Sequence, residues 1–217
     1  MYVEADFWYQ KWQKGEIGFH RSEANAFLVA HFYKLHLAKN SRIFLPLCGK
    51  TRDLAWLLAS GYRVVGAELS EIAIQCLFED LRVGPTISRL DQLSYYSAKN
   101  INIFVGDIFN LSAKLLENVD AVYDRAALVA LPKSMRNAYT SHLIQITQAA
   151  SQLLITYEYD QRLLDGPPFS INEEEVKRHY SATYQLNSIE RKEVAGGLRG
   201  NVTSNEAVWL LLNKESC

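Results

Sequence analysis

Cysteine is scarce in this sequence, with 3 residues in a chain of 217. Cys48, Cys76 and Cys217 show no paired spacing, so they predict neither a disulfide framework nor a metal site such as zinc. We expect three reduced thiols, buried or terminal, in a cytoplasmic protein.

Net charge is also nearly absent, because 23 basic residues are balanced by 24 acidic ones. Such a balance gives no general attraction for nucleic acid or for an anionic membrane. The first residues are acidic and lack the apolar run of a secretory signal, and no apolar stretch approaches membrane-spanning length. We therefore expect a monomer of one domain over residues 1–217 that binds neither nucleic acid nor membrane.

Short apolar runs alternate with amphipathic segments along most of the chain. Strands are predicted at Ile43–Leu47, Arg63–Glu68, Asn102–Asp107, Ala121–Asp124 and Leu153–Tyr157, followed by a hairpin of Tyr184–Arg191 and Glu206–Asn213. Helices are predicted at Asp6–Trp12, at Glu23–His36 after a Ser22 cap, at Thr51–Gly61, at Glu71–Leu81, at Pro132–Ala150, and from a capping box at Ser170–Glu173 through Tyr180.

This alternation predicts an α/β fold with a mostly parallel seven-stranded sheet, helices on both faces and an antiparallel C-terminal hairpin. The aromatic-rich residues 1–40 are expected to form an N-terminal helical cover. The arrangement suits nucleotide-binding methyltransferases and other doubly wound folds, so topology alone does not choose the chemistry.

A G-x-G-x-x-G fingerprint is missing after the first predicted strand. The segment Leu47-Cys48-Gly49-Lys50-Thr51 stands there instead, and its single glycine lets the backbone approach a ligand closely. A dinucleotide pyrophosphate needs the tighter glycine-rich turn, whereas S-adenosylmethionine carries no phosphate. The turn therefore favours the methyl donor as cofactor.

Three further strand ends carry candidate ligand contacts. Glu68 can accept hydrogen bonds from both ribose hydroxyls, or it can be a solvated carboxylate. Asp107 and Ile108 can hold a purine ring between a polar group and an apolar wall, although Gly-Asp after a strand is also common turn chemistry. Arg125 can meet an anion at the mouth of the sheet, or it can pair with Asp124 or another acid.

Several motifs together resemble the thiopurine S-methyltransferase family, particularly its bacterial members. They are Phe7-Trp8 to Trp12, Ile17-Gly18-Phe19-His20, Leu45-Pro46-Leu47-Cys48-Gly49-Lys50, Val65-Gly66-Ala67-Glu68-Leu69-Ser70, Tyr123-Asp124-Arg125-Ala126-Ala127-Leu128 and Gly166-Pro167-Pro168-Phe169. They span the chain from near its N-terminus to about residue 180.

The resemblance implies a Rossmann-like class I S-adenosylmethionine-dependent methyltransferase fold and a set of site residues. The residues implied to bind the cofactor are Trp12, Leu47, Gly49, Glu68, Leu69, Asp107, Ile108 and Arg125. The residues implied to bind the acceptor are Phe19, Arg125, Pro167, Pro168 and Phe169, with Arg125 as the catalytic one. The alternatives are that Trp12 and Phe19 only pack and that Pro167-Pro168 is only a rigid turn.

The implied reaction is methyl transfer to a small thiol, a thiopurine, or a selenium or tellurium acceptor. A thiolate is already a good nucleophile near neutral pH, so the protein has mainly to position and desolvate it. Arg125 is expected to stabilise the anionic acceptor. The rival interpretations are a dinucleotide oxidoreductase, a non-catalytic S-adenosylmethionine-binding module, a nucleic-acid methyltransferase, and a small-molecule methyltransferase with a different acceptor.

Overall fold

A nine-stranded sheet forms the centre of the computed structural model, which describes residues 3–17 and 21–216. The strands are β1 Arg42–Leu45, β2 Arg63–Glu68, β3 Thr86–Leu90, β4 Leu93–Ala98, β5 Ile101–Val105, β6 Ala121–Arg125, β7 Gln152–Tyr159, β8 Tyr184–Glu193 and β9 Ser204–Asn213. Their spatial order is β3-β4-β5-β2-β1-β6-β7-β9-β8. The five central strands are parallel, and an antiparallel hairpin extends the sheet at each side.

All seven predicted strands are present, but the sequence analysis missed the hairpin of β3 and β4. As a result the expectation of a mostly parallel sheet holds only for its centre. Strand β3 is polar and exposed along nearly its whole length, so it lacks the apolar face that marks a strand. The turn between β3 and β4 also lacks the glycine that would mark a hairpin in the sequence. Asp91 adopts the left-handed conformation there instead, with φ 53°.

Helices cover both faces of the sheet and bury two separate apolar clusters. The helices are α1 Val3–Gln13, α2 Ala26–His31, α3 Arg52–Ala59, α4 Glu71–Leu81, α5 Ala113–Leu116, α6 Lys133–Ile146 and α7 Glu173–Tyr180. Leu28, Leu54 and Ile74 bring α2, α3 and α4 against one face. Tyr139 and Val176 bring α6 and α7 against the other.

Two predicted helix starts are wrong, and competing caps explain both. Asn25, rather than Ser22, caps α2 by accepting hydrogen bonds from the backbone N–H groups of Phe27 and Leu28. Asn172 caps α7, whereas Ser170 donates its hydroxyl to the Tyr159 carbonyl. An Asn side chain is as good a cap as Ser, so residue type alone could not choose between neighbouring candidates.

Two predicted helices are also shorter than expected. Helix α2 ends at His31 and continues as a 3₁₀ turn over Phe32–Leu35. Helix α6 ends at Ile146, because Gln148 and Ala149 take left-handed φ values of 52° and 57°. In both cases the chain leaves the α-helix through a tight turn before it enters a central strand of the sheet.

Candidate functional site

The turn after β1 is bonded to the carboxylate that ends β2. Gly49 donates its backbone N–H to Oε2 of Glu68 at 2.7 Å, and Ser70 donates its N–H to Oε1 at 2.9 Å. Leu47 and Gly49 both lie in the left-handed region, with φ 46° and 51°, so the backbone turns sharply towards β2. Glu68 is only 6% exposed, which fixes a carboxylate at the carboxyl edge of the parallel strands.

Burial raises the pKa of Glu68, and the N–H groups of Ser70, Gly49 and Leu69 oppose that rise. A carboxylate offers about four lone-pair positions, and these two short backbone bonds leave room for further donors. Glu68 can therefore accept hydrogen bonds from a ligand that carries hydroxyl groups.

Trp12 packs directly on the same turn. A Cβ added to Gly49 would lie 3.1 Å from Cζ2 of the Trp12 indole, so the ring rests on the bare glycine backbone. Trp12 is buried, whereas Trp8, one helical turn earlier, is only partly so. Helix α1 thus covers the turn after β1.

Tyr9 also faces this site, which the sequence analysis missed. Its pKa is raised by burial and by the carboxylates of Asp107 and Glu68. The available signal was its position three residues before Trp12, which places both side chains on one face of α1. Helix α1 therefore presents a phenol and an indole to the ends of β1, β2 and β5.

The residues that follow β5 lie beside Glu68 at the carboxyl edge of the parallel strands. Gly106 donates its N–H to the Glu68 carbonyl at 2.8 Å, and Asp107 then caps a 3₁₀ turn by accepting from the N–H of Phe109 at 3.0 Å. Ile108 is buried, whereas Leu69 beyond β2 is partly exposed. The two segments supply polar and apolar surface beside Glu68.

Arg125 ends β6, on the other side of β1 from Glu68. Its guanidinium Nη1 lies 3.8 Å from Oδ2 of Asp53, and its side chain is 11% exposed. Asp53 also accepts the N–H of Asn25 at 2.6 Å and the hydroxyl of Tyr123 at 3.0 Å. The acid that pairs with Arg125 is therefore Asp53 of α3, not Asp124, and the pair stands at the edge of the sheet.

Asp124 points away from this pair and holds the turn that follows β6. Its carboxylate accepts the N–H of Leu128 at 3.1 Å and the hydroxyl of Tyr139 at 2.7 Å. Ala126 between them has a left-handed φ of 63°, a conformation that L-residues rarely adopt. These two bonds fix the backbone that carries Arg125.

We expect Asp124 to make stability depend on pH. Burial raises its pKa from 3.8 to about 6, so the folded state favours the protonated acid, and the stabilisation present below pH 4 is lost as the pH rises through 6. The loss amounts to about 3 kcal/mol for a shift of about two pKa units. Urea unfolding from pH 4 to pH 7 should show the wild type losing stability relative to D124N by about this amount, and parallel curves would contradict the prediction.

The Gly166-Pro167-Pro168-Phe169 segment packs against the chain that follows Arg125. Phe169 donates its N–H to the Val129 carbonyl at 2.6 Å, and Tyr159 donates its hydroxyl to the Pro168 carbonyl at 2.6 Å. Arg199 donates to the Pro167 carbonyl at 2.9 Å. Both proline peptides are cis. The three hydrogen bonds hold the segment as a wall next to the chain that follows β6.

The structure thus gathers most of the predicted residues along one edge. Trp12, Gly49 and Glu68 contact one another or share a hydrogen bond. Asp107 and Arg125 flank them, because β5 and β6 lie on either side of the pair β2 and β1. Phe19 lies outside the described residues. The ring of Phe169 packs on Arg136 rather than on Arg125.

In the part of the chain that the structure describes, no three His, Cys, Asp or Glu residues are grouped to hold a metal ion. None of the helices described there is both long and apolar enough to cross a membrane.

Comparison with known proteins identifies relatives over nearly the whole chain. The family model described as Thiopurine S-methyltransferase (TPMT) matches residues 3–214. The thiopurine S-methyltransferase of Teredinibacter turnerae is 52% identical over 209 residues, which cover 96% of this chain and 97% of that protein. The enzyme of the same name from Xanthobacter autotrophicus is 52% identical over 210 residues, covering 96% and 99%.

Solved structures share the fold at much lower identity. A SAM-dependent methyltransferase from Anabaena variabilis is 14% identical with a TM-score of 0.66, covering 96% of this chain and 94% of that one. The 1,6-didemethyltoxoflavin-N1-methyltransferase of Burkholderia thailandensis, solved with S-adenosylhomocysteine, is 14% identical with a TM-score of 0.64, covering 96% and 87%. The fold is therefore that of class I methyltransferases.

Proposed function

The chain belongs to the thiopurine S-methyltransferase family and is an S-adenosylmethionine-dependent methyltransferase, and we propose that its acceptor is a small thiol, a thiopurine, or a selenium or tellurium compound. The observation that carries the proposal is the buried carboxylate of Glu68, which is bonded to the Gly49 turn and separated by β1 alone from β6, the strand that ends at Arg125. We retain the expectations of a one-domain cytoplasmic monomer that does not bind nucleic acid, which rest on the balanced charge and the unpaired cysteines.

The proposal assigns the cofactor to the edge formed by β1, β2 and β5. Glu68 would accept the ribose hydroxyls, and Asp107 with Ile108 would flank the adenine. Leu47, Gly49 and Leu69 would line the turn, and Trp12 would close it from α1. These residues fit the group, because they offer a buried acceptor, apolar walls and a bare backbone without a phosphate-binding glycine loop.

The acceptor would lie beyond β6, between Arg125 and the Pro167-Pro168-Phe169 wall, with Phe19 contributing from the N-terminal side. The bound cofactor supplies an electrophilic methyl carbon, and the protein holds the sulfur nucleophile in line with it. A buried guanidinium stabilises the ionised acceptor, and Asp53 keeps that guanidinium oriented. The site would thus select thiolates by charge and exclude water.

A direct assay tests this function. Purified protein is incubated with S-adenosylmethionine, and S-adenosylhomocysteine formation is measured with 6-mercaptopurine, a thiophenol, selenite-derived species and phenol controls. Turnover on sulfur or selenium but not on oxygen is expected. Binding of S-adenosylhomocysteine without turnover on any acceptor would contradict the proposed activity and favour a non-catalytic binding module.

Arg125→Ala is expected to lower kcat/KM for ionised thiols by about 10-fold to 100-fold, because a charge-assisted hydrogen bond is worth about 1.5–3 kcal/mol. Arg89→Ala is the matched control, since Arg89 is exposed on β3 and donates to backbone carbonyls of its own turn. Initial rates against acceptor concentration provide the measurement. Unchanged turnover of the best acceptor by Arg125→Ala would remove Arg125 from the acceptor site.

A further inference from the structure

A second carboxylate lies on the same face of the sheet as Arg125. Glu206 of β9 stands directly opposite Tyr157 of β7, and directly opposed residues of an antiparallel pair share one face. Tyr157 is two residues beyond Ile155, which pairs in register with Arg125 of β6. Side chains two residues apart point to the same face, so Arg125, Tyr157 and Glu206 form one diagonal row on that face.

The Glu206 carboxylate has unused hydrogen-bonding capacity. Its Oε1 atom is buried and has no hydrogen-bond partner among the residues that the structure describes, although Glu206 as a whole is partly exposed. A buried acceptor without a donor is costly, and such atoms are satisfied by a ligand or by water. Oε1 of Glu206 can therefore accept a hydrogen bond from a ligand that comes within reach.

Neighbouring strands lie about 4.8 Å apart, so Glu206, two strands from β6, is about 10 Å to the side of Arg125 and about 7 Å further along the strand direction. A heteroaromatic ring system is of the right size to lie between two such side chains. Such an acceptor would then contact the guanidinium of Arg125 at one end and the carboxylate of Glu206 at the other.

Titratable and charged groups on several elements share this face with Glu206, among them the pair of His31 on α2 and Glu190 on β8. Arg125 and Tyr123 lie on β6, Asp53 on α3, and Lys192 stands opposite Glu206 on β8. Arg21 acts on Tyr157 from the segment after α1. Asp53 already balances Arg125, whereas the buried Oε1 of Glu206 has no hydrogen-bond partner in the described part of the chain.

The Tyr157 phenol stays protonated beside this carboxylate. Burial, the charge of Glu206 and a hydrogen bond to its carboxylate raise the pKa of Tyr157 to about 12, and burial followed by Asp53 raises that of Tyr123 well above its ordinary value. Neither phenol can therefore take a proton from an acceptor near neutral pH. The carboxylate of Glu206 offers an acceptor oxygen instead.

Resting on the proposed function, we propose that Glu206 is a catalytic residue that accepts the ring N–H proton of a heterocyclic thione as its sulfur is methylated. The acceptor sulfur forms a bond with the methyl carbon, and the bond from that carbon to the donor sulfur breaks with its electron pair remaining on the donor. The C=S bond becomes C–S, the adjacent C–N bond becomes C=N, and the N–H proton passes to Oε1 of Glu206. The methylated ring leaves neutral.

This assignment separates two kinds of sulfur acceptor. A thiophenol has no ring N–H and loses no proton from nitrogen, so it makes no use of Glu206. A thione of the 6-mercaptopurine type must lose that proton, and a positioned base accelerates such a step by about 100-fold or more. Glu206 thus sets the preference for acceptors with an N–H next to the thione carbon.

The test compares Glu206→Gln with wild type on 6-mercaptopurine and on a thiophenol. We expect kcat for 6-mercaptopurine to fall at least tenfold with thiophenol turnover within about twofold, and the deficit to shrink as the pH exceeds the pKa of the acceptor itself. Glu193→Gln on exposed β8 is the matched control, and S-adenosylhomocysteine binding reports that the variant is folded.

Equal effects on both acceptors, or no effect on either, would overturn the role of Glu206 while leaving S-methylation intact. A wild-type protein that methylates neither acceptor would overturn the proposed function and this inference together. A deficit on 6-mercaptopurine that is constant from pH 6 to pH 9 would also contradict proton acceptance, because a purely structural loss does not depend on the ionisation of the acceptor.

Discussion

Glu68→Gln is expected to weaken S-adenosylhomocysteine binding by about 30-fold to 100-fold, which corresponds to about 2–3 kcal/mol. Glutamine keeps one carbonyl oxygen and replaces the other with an NH₂ group. One of the two backbone donors, Gly49 or Ser70, would then face another donor, and the contact to the ribose would be lost. Isothermal titration calorimetry measures the change directly.

Glu71→Gln is the matched control for this experiment. Glu71 is an exposed acid three residues away at the start of α4, where it accepts the hydroxyl of Tyr96 at 2.6 Å. Its replacement should change the affinity by less than about twofold, as a surface substitution away from the site does. If Glu68→Gln bound as tightly as wild type, the ribose assignment would be wrong.

Asp53→Ala is expected to lower the free energy of unfolding by about 3–5 kcal/mol, the usual effect of removing one partner from a buried charged network. Asp53 is 1% exposed, and its loss leaves the Asn25 N–H, the Tyr123 hydroxyl and the Arg125 guanidinium without their acceptor. Urea unfolding followed by circular dichroism gives the value.

Asp80→Ala provides the comparison on the surface. Asp80 lies 3.3 Å from Lys50 in a partly exposed ion pair, and such pairs contribute about 0–1 kcal/mol. A loss of less than about 1 kcal/mol in Asp53→Ala would show that Arg125 and Tyr123 find other partners. In that case the orientation of Arg125 would not depend on α3.

Local signals predicted the central elements well. The bounds predicted for β2 and α4 agree with the structure, Arg63–Glu68 and Glu71–Leu81. The strand is a short apolar run, and Ser70 starts the helix as a cap that nothing nearby competes with. Because these signals lie within a few residues, tertiary packing does not override them.

Long-range partners could not be predicted in the same way. Asp53 lies in the first turn of α3, where an acid is favourable for the helix alone, so nothing in the local pattern links it to Arg125. Glu206 lies in a strand that the hydrophobic pattern found, but its neighbour Tyr157 is about 50 residues earlier. Both contacts depend on strand order and register, which a single sequence does not specify.

The indole of Trp12 rests on Gly49, so its intrinsic fluorescence can report on ligand binding at this turn. A ligand that seats on this turn changes the polarity around the ring, and indole emission responds to polarity. Filling of the site should therefore shift the fluorescence of the unlabelled protein, and Trp12→Phe should remove that part of the signal. The rates at which ligands arrive and leave can then be followed by stopped flow.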